Sequence, residues 1–232
     1  MNYILFAALI ILAVCIFVGW RKGFIRTIFS TFLIIFSLFI AMQTYSMLSK
    51  QLQKTFIYNA LNERVSGVLF KDSEGEVNRV TDQIDTINGL PLPDSIKKYL
   101  VENNNVQIYD ALGISDFESY VSGYLTCLII NAISFVGIFL IMIVLLKIIE
   151  ASLDLMSKLP VLNGINKIGG VLIGVIKGFL ILWVVCIVVT IFSGTGWGKF
   201  IFEGINESWL LGLIYNNNYL LLFIANMGKI LF

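Results

Sequence analysis

Residues 3–26 read YILFAALIILAVCIFVG-WRKGFIR, and the fold follows from this stretch. Tyr3 to Gly19 is an unbroken apolar run of roughly 17 residues, which as a helix covers about 25 Å, just enough to cross the hydrocarbon of a bilayer. Trp20 follows at the position of an interfacial aromatic anchor. Arg21, Lys22, Gly23 and Arg26 then make a tight basic turn, and a second apolar block from about Phe24 to Leu48 carries no charge after Arg26. No Lys or Arg precedes Arg21, and no small-residue cleavage site precedes the basic cluster, so the first block reads as a retained helix rather than a cleaved leader.

The composition agrees. Of 232 residues, 58% are hydrophobic and 13% charged, against about 25% charged in a typical soluble domain. Apolar surface in this excess needs lipid as its solvent. A net charge of +1 offers no broad electrostatic footprint for nucleic acid. With no histidine in the chain, the usual general base and the commonest metal ligand are missing. Cys15, Cys127 and Cys186 fall inside apolar blocks without partners at ligand spacing, and read as small packing residues.

From Ser49 to Gly123 the character changes: 7 basic and 11 acidic residues, with Pro91 and Pro93, make a segment too polar to span and too long for a plain connection. Leu52, Phe56, Val65, Val68 and Leu69 recur at near-helical spacing, which predicts an amphipathic helix over about 50–70. Lys71 to Asn88 reads as a polar, mobile stretch. Pro93 and Asp94 start a short helix near 94–102, which Asn103, Asn104 and Asn105 break. Ser115 is placed to cap a helix running through Phe117 and Tyr120 into the membrane. A third apolar block spans about Tyr124 to Leu146, followed by an amphipathic stretch with Lys147, Glu150, Asp154 and Lys158, closed by Pro160. The fourth block either runs from Ile168 to Phe192 or starts near Lys177, with 161–176 lying in the interface. The tail, 194–232, is apolar but interrupted; Tyr219 to Ala225 is too short to cross, so the tail is expected on the membrane or against the bundle.

The fold expected is therefore all-α: a multi-pass membrane protein of about four transmembrane helices, two in 1–48 and two in 124–193, with a largely helical extracytoplasmic insert at 49–123 and an interfacial tail. The short basic turns, with Arg21, Lys22 and Arg26 in one and Lys147, Lys158 and Lys167 in the other, place themselves in the cytoplasm. The acidic segment and both termini then lie outside.

Several residues are candidates for function. Gly170, Gly174 and Gly178, spaced by four, form a smooth stripe where a neighbouring helix approaches closely, or a hinge or groove. Lys177 lies among them in sequence but off their face. In hydrocarbon its ammonium costs at least about 2.5–3.5 kcal/mol, so it snorkels or faces a wet cavity. Ser30, Ser37, Ala41 and Thr44 share one face of the second block; Asn131 and Ser134 supply polar atoms in the third. These read as interhelical hydrogen-bonding groups or as the lining of a narrow polar path through Asn131 and Lys177. No catalytic constellation, phosphate loop or dense Asp/Asn metal loop is present in the sequence, so neither an enzyme nor a cofactor is expected.

Two stretches together resemble the colicin V production protein family (CvpA-like): Gly-Trp-Arg-Lys-Gly-Phe-Ile-Arg at 19–26 and Leu-Asn-Gly-Ile-Asn-Lys-Ile-Gly-Gly-Val-Leu-Ile-Gly-Val-Ile-Lys-Gly at 162–178. Gly19, Arg21, Lys22, Gly23 and Arg26 match the family's basic turn; Asn166, Lys167, Gly170, Gly174 and Gly178 match its glycine-spaced helix. Many members carry an Asp near the start of the first helix, where this chain has Asn2 and Tyr3. The resemblance implies a bacterial inner-membrane protein linked to colicin V production or export and to envelope homeostasis. Beyond the lipid bilayer, the expected partner is an envelope or secretion protein met through 49–123, with a homo-oligomer as a further option and no nucleic acid.

Overall fold

A computed structural model describes residues 2–70, 80–152, 165–193 and 195–231. Those residues fold into ten helices: α1 (Tyr3–Gln53), α2 (Phe56–Leu69), α3 (Val80–Gly89), α4 (Asp94–Glu102), α5 (Val106–Leu112), α6 (Phe117–Ser152), α7 (Ile165–Ile191), α8 (Gly196–Asn206), α9 (Trp209–Asn216) and α10 (Tyr219–Leu231). Three of them, α1, α6 and α7, are long and apolar enough to cross a membrane. The expectation was about four. The difference lies in α1, which holds both of the first two apolar blocks and is interrupted at Gly23 by a non-helical backbone (φ 75°, ψ 173°).

That interruption reverses the chain. The Thr27 hydroxyl lies 3.4 Å from the Gly19 carbonyl, whereas eight residues of straight helix would set them about 12 Å apart. Further along, α7 meets Cys15 from the first half at Gly174 and Ser30 from the second half at Lys177. The two halves, 3–22 and 24–53, thus return alongside each other.

The packing is sorted by side-chain size. In the first half the buried residues are Ala8, Cys15 and Gly19, with Gly23 buried at the turn, while Phe6, Leu9, Ile10, Val14 and Phe17 are exposed. Lipid solvates large side chains as well as a protein interior does, so the residues turned inward are those that let backbones approach. α7 repeats the pattern, with Gly170, Gly174 and Gly178 inward and Ile168, Leu172 and Ile176 outward. It also runs unbroken from Ile165 through Lys177, so 165–176 continues the helix.

The polar segment is more ordered than its composition suggests. Residues 80–88, expected to be mobile, belong to α3; the other part of that stretch, 71–79, lies outside the described residues. The proposed helix over 50–70 divides at Lys54, with Thr55 capping α2 by accepting from the Ile57 N–H. α4 matches its expected bounds, and Asn105 both follows its end and caps α5. Asp116, rather than Ser115, caps α6: its carboxylate accepts from the Ser119 N–H at 2.7 Å and from the Ser115 and Ser119 hydroxyls at 3.0 and 3.1 Å. Partial burial opposes ionisation of Asp116, but these bonds outweigh it and hold the carboxyl below its ordinary range. The continuation of the amphipathic stretch through Asp154, Lys158 and Pro160 lies outside the described residues.

Ile87, Leu90, Leu92, Ile96 and Leu100 of α3–α4 are buried in one cluster with Tyr120 and Tyr124 of α6 and Leu220, Leu221 and Ile224 of α10. The tail therefore packs into the bundle. Tyr215 is its strut. The hydroxyl donates to the Pro91 carbonyl at 3.0 Å and lies 3.1 Å from the Thr190 hydroxyl of α7, while Asn216 donates to Asp94 at 3.0 Å. Tyr215→Phe removes one hydroxyl that serves three elements and leaves the partly buried Pro91 carbonyl without its donor. We expect a loss of about 1–2 kcal/mol in a detergent-solubilised unfolding titration, together with faster proteolysis between α3 and α4. An unchanged midpoint would show that the strut carries nothing.

Candidate functional site: a glycine and asparagine junction at the basic turn

Gly23 has a backbone conformation that is essentially reserved for glycine. Its neighbour across the junction is Asn166, which sits one turn before the glycine stripe of α7. The Asn166 side-chain oxygen accepts from the Ile25 N–H at 3.3 Å, capping the restarted helix. The Asn166 side chain also occupies the space that a Cβ on Gly23 would take. Gly170 faces Gly19 so closely that a Cβ on either would overlap the other's backbone carbonyl. Cβ atoms placed on Gly174 and Gly178 would lie 2.6 Å from the Cys15 carbonyl oxygen and 2.7 Å from a Leu12 methyl. The two motifs singled out in the sequence, more than a hundred residues apart, are thus two sides of one contact.

The cations surround this contact. Lys167 lies over the Trp20 ring, 5.4 Å from its centroid, and Arg21 over Phe17 at 5.9 Å. Lys147 and Glu150 pair at 3.1 Å. The Arg26 Nε is shielded and has no partner among the described residues. Lys177 itself donates to the Ser30 hydroxyl at 3.1 Å, and Ser30 donates to the Thr27 carbonyl at 3.0 Å. The ammonium is therefore held by the reversed half of α1.

Asn131 lies elsewhere. It is fully buried, and its side-chain oxygen accepts from Ser49, which also accepts from Gln53 at 3.1 Å. The Asn131 amide nitrogen has no partner among the described residues. Ser30 and Ser49 mark the levels of Lys177 and Asn131 on the same half of α1, about 28 Å apart along its axis. Between them, Ser37 and Thr44 donate to the carbonyls of Leu33 and Ile40, each at 2.7 Å, and Ser134 donates to Ile130 at 2.8 Å. These hydroxyls are satisfied within their own helices, as four-residue back-bonding allows, and do not bridge helices as the sequence had suggested.

Asn2, missed in the sequence as a structural residue, caps α1: its oxygen accepts from the Ile4 and Leu5 N–H groups, and its amide donates to the Gly204 carbonyl of α8 at 2.5 Å. A carboxylate at that position could cap but not donate. Asn followed by an apolar run was the available signal. The cysteines are free, and no cluster able to hold a metal occurs among the described residues.

A glycine-lined helical membrane bundle, closed at one end by a basic turn and covered at the other by short helices, is the class of protein these features define. The chain belongs to the Colicin V production protein family, whose profile matches residues 6–70 and 113–218, well over half of its length. That membership supports a role in colicin V production. Comparisons with curated proteins and with solved structures gave no match.

Proposed function

We propose that this protein is a non-enzymatic scaffold or accessory factor of the bacterial inner membrane. It crosses the membrane four times and presents residues 49–123 to a secretion or envelope partner on the outer face, with envelope homeostasis as the wider role. One observation carries the reading: the functional motifs and their cations gather at one end of the bundle, while the insert, the tail and Asn2 gather at the other. The reversal at Gly23 supports counting α1 as two crossings, and the cations around it favour the cytoplasm. Val106 and Phe56, 71% and 80% exposed on the insert, are apolar side chains on the face offered to a partner.

Two measurements test this. Cysteine placed at Val106 should react with a membrane-impermeant maleimide in intact cells, and cysteine at Arg21 only after permeabilisation; the reverse pattern inverts the topology. A photo-crosslinker at Phe56 or Val106 should then capture a defined envelope or secretion protein that a crosslinker at the lipid-facing Ile141 does not. Equal capture at all three positions would end the scaffold reading.

A transporter or channel component is the alternative, and the intramembrane Lys177–Ser30 contact is the observation in its favour. A path through Lys177, Asn131 and Asn166 has to cross a stretch whose hydroxyls are turned back onto their own helices. Lys177→Leu is expected to insert and fold, with no flux lost under any imposed gradient in liposomes. Measurable wild-type flux that the variant abolishes would reverse the choice.

A further inference from the structure

We infer that the outer side of the α1–α7 junction is a binding site for one anionic phospholipid, seated across Phe17, Trp20, Arg21 and Lys167. An anionic phospholipid needs cations for its phosphate and an apolar wall for its acyl chain, set side by side. Phe17 and Trp20 are 53% and 46% exposed, and their rings pack with centroids 6.0 Å apart on one face of the first half of α1. Arg21 extends the same face, and Lys167 reaches it from α7. Each cation lies over one of these rings, which fixes its position at the edge of the apolar wall. Above the rings the wall continues along lipid-facing Val14 and Ile10.

Charge balance points the same way. No carboxylate pairs with Arg21 or Lys167 among the described residues, where the ion pairs are Lys98–Glu102 and Lys147–Glu150. Arg21 and Lys167 come from the two motif stretches, so a lipid bridging them would also clamp α1 to α7 at the turn. Free phosphate shares the headgroup's charge but gains nothing from the wall, so the lipid is the occupant assigned. This holds for either orientation of the bundle and does not depend on the partner of residues 49–123.

The test is the thermal unfolding of purified full-length protein in a neutral detergent. It is read with added phosphatidylglycerol, with phosphatidylcholine of the same chains, and with inorganic phosphate at the same concentration. Phosphatidylglycerol well above its dissociation constant should raise the midpoint by about 5 °C over phosphatidylcholine. The Arg21→Gln, Lys167→Gln variant, altered only at exposed side chains, should lose most of that difference. Lys98→Gln, remote on α4, should keep it. Equal shifts from the two lipids, an equal shift from inorganic phosphate, or a full phosphatidylglycerol effect in the double variant would each overturn the assignment.

Discussion

Gly23→Ala is expected to lower the stability of the solubilised protein by about 3 kcal/mol, which for a chain of this size moves the unfolding midpoint down by about 6–12 °C. The first contribution is backbone strain: φ 75° with ψ 173° costs a residue with a Cβ about 1–3 kcal/mol. The second is local. The new methyl takes the place of the Asn166 amide, and displacing it uncaps the Ile25 N–H at about 1 kcal/mol. Gly137→Ala is the matched control, because a Cβ there meets nothing within 4 Å and the residue lies inside α6. That change should be neutral or slightly stabilising, since alanine restricts the unfolded chain. Equal effects at the two positions would mean that the reversal at Gly23 is not fixed by its backbone.

Gly170→Leu should cost as much or more. The added side chain is directed at the Gly19 carbonyl and at the backbone of Gly23, and neither can turn aside as a side chain could. Relief requires α1 and α7 to separate along a contact that continues through Gly174 and Gly178. Overpacking of this kind typically costs about 1–3 kcal/mol and more where backbone is the obstacle. Leu172→Ala, two residues on and turned to the outer face at 62% exposure, should leave the midpoint within a degree or two. The double variant Gly19→Leu, Gly170→Leu should cost clearly less than the sum of the singles, because helices already forced apart accept the second side chain freely. Strict additivity would place the two glycines in separate environments.

The membrane character, α4, the inward stripe of α7 and the basic turn are all legible in the sequence, because each rests on a local signal: an apolar run, a proline followed by an aspartate, glycines four apart, adjacent cations. What escapes is what depends on distance in sequence. Nothing in Asn166 read alone says that it fills the space beside Gly23, and nothing in Tyr215 says that it joins Pro91 to Thr190. Ser37, Thr44 and Ser134 look like bridging groups on a helical wheel, yet each bonds to its own helix, a choice made by local geometry that composition does not record. The helix α3 was hidden by polarity: Ile87 is its one buried residue, and it becomes a core position only when α4 packs beside it and the shared cluster closes over it.

The pairing of α1 with α7 and α8 carries a cost in time. Synthesis proceeds at about 5–20 residues per second, so the first half of α1 leaves the ribosome on the order of ten seconds before the glycines it fits. Through that interval Ala8, Cys15 and Gly19 present a furrow to the lipid, and Asn2 holds an amide without the Gly204 carbonyl that will receive it. Any small-faced helix nearby is a competitor for that furrow, including the nascent α1 of a neighbouring chain. Overproduction should therefore yield misassembled dimers joined through α1 before it yields aggregates of the finished fold.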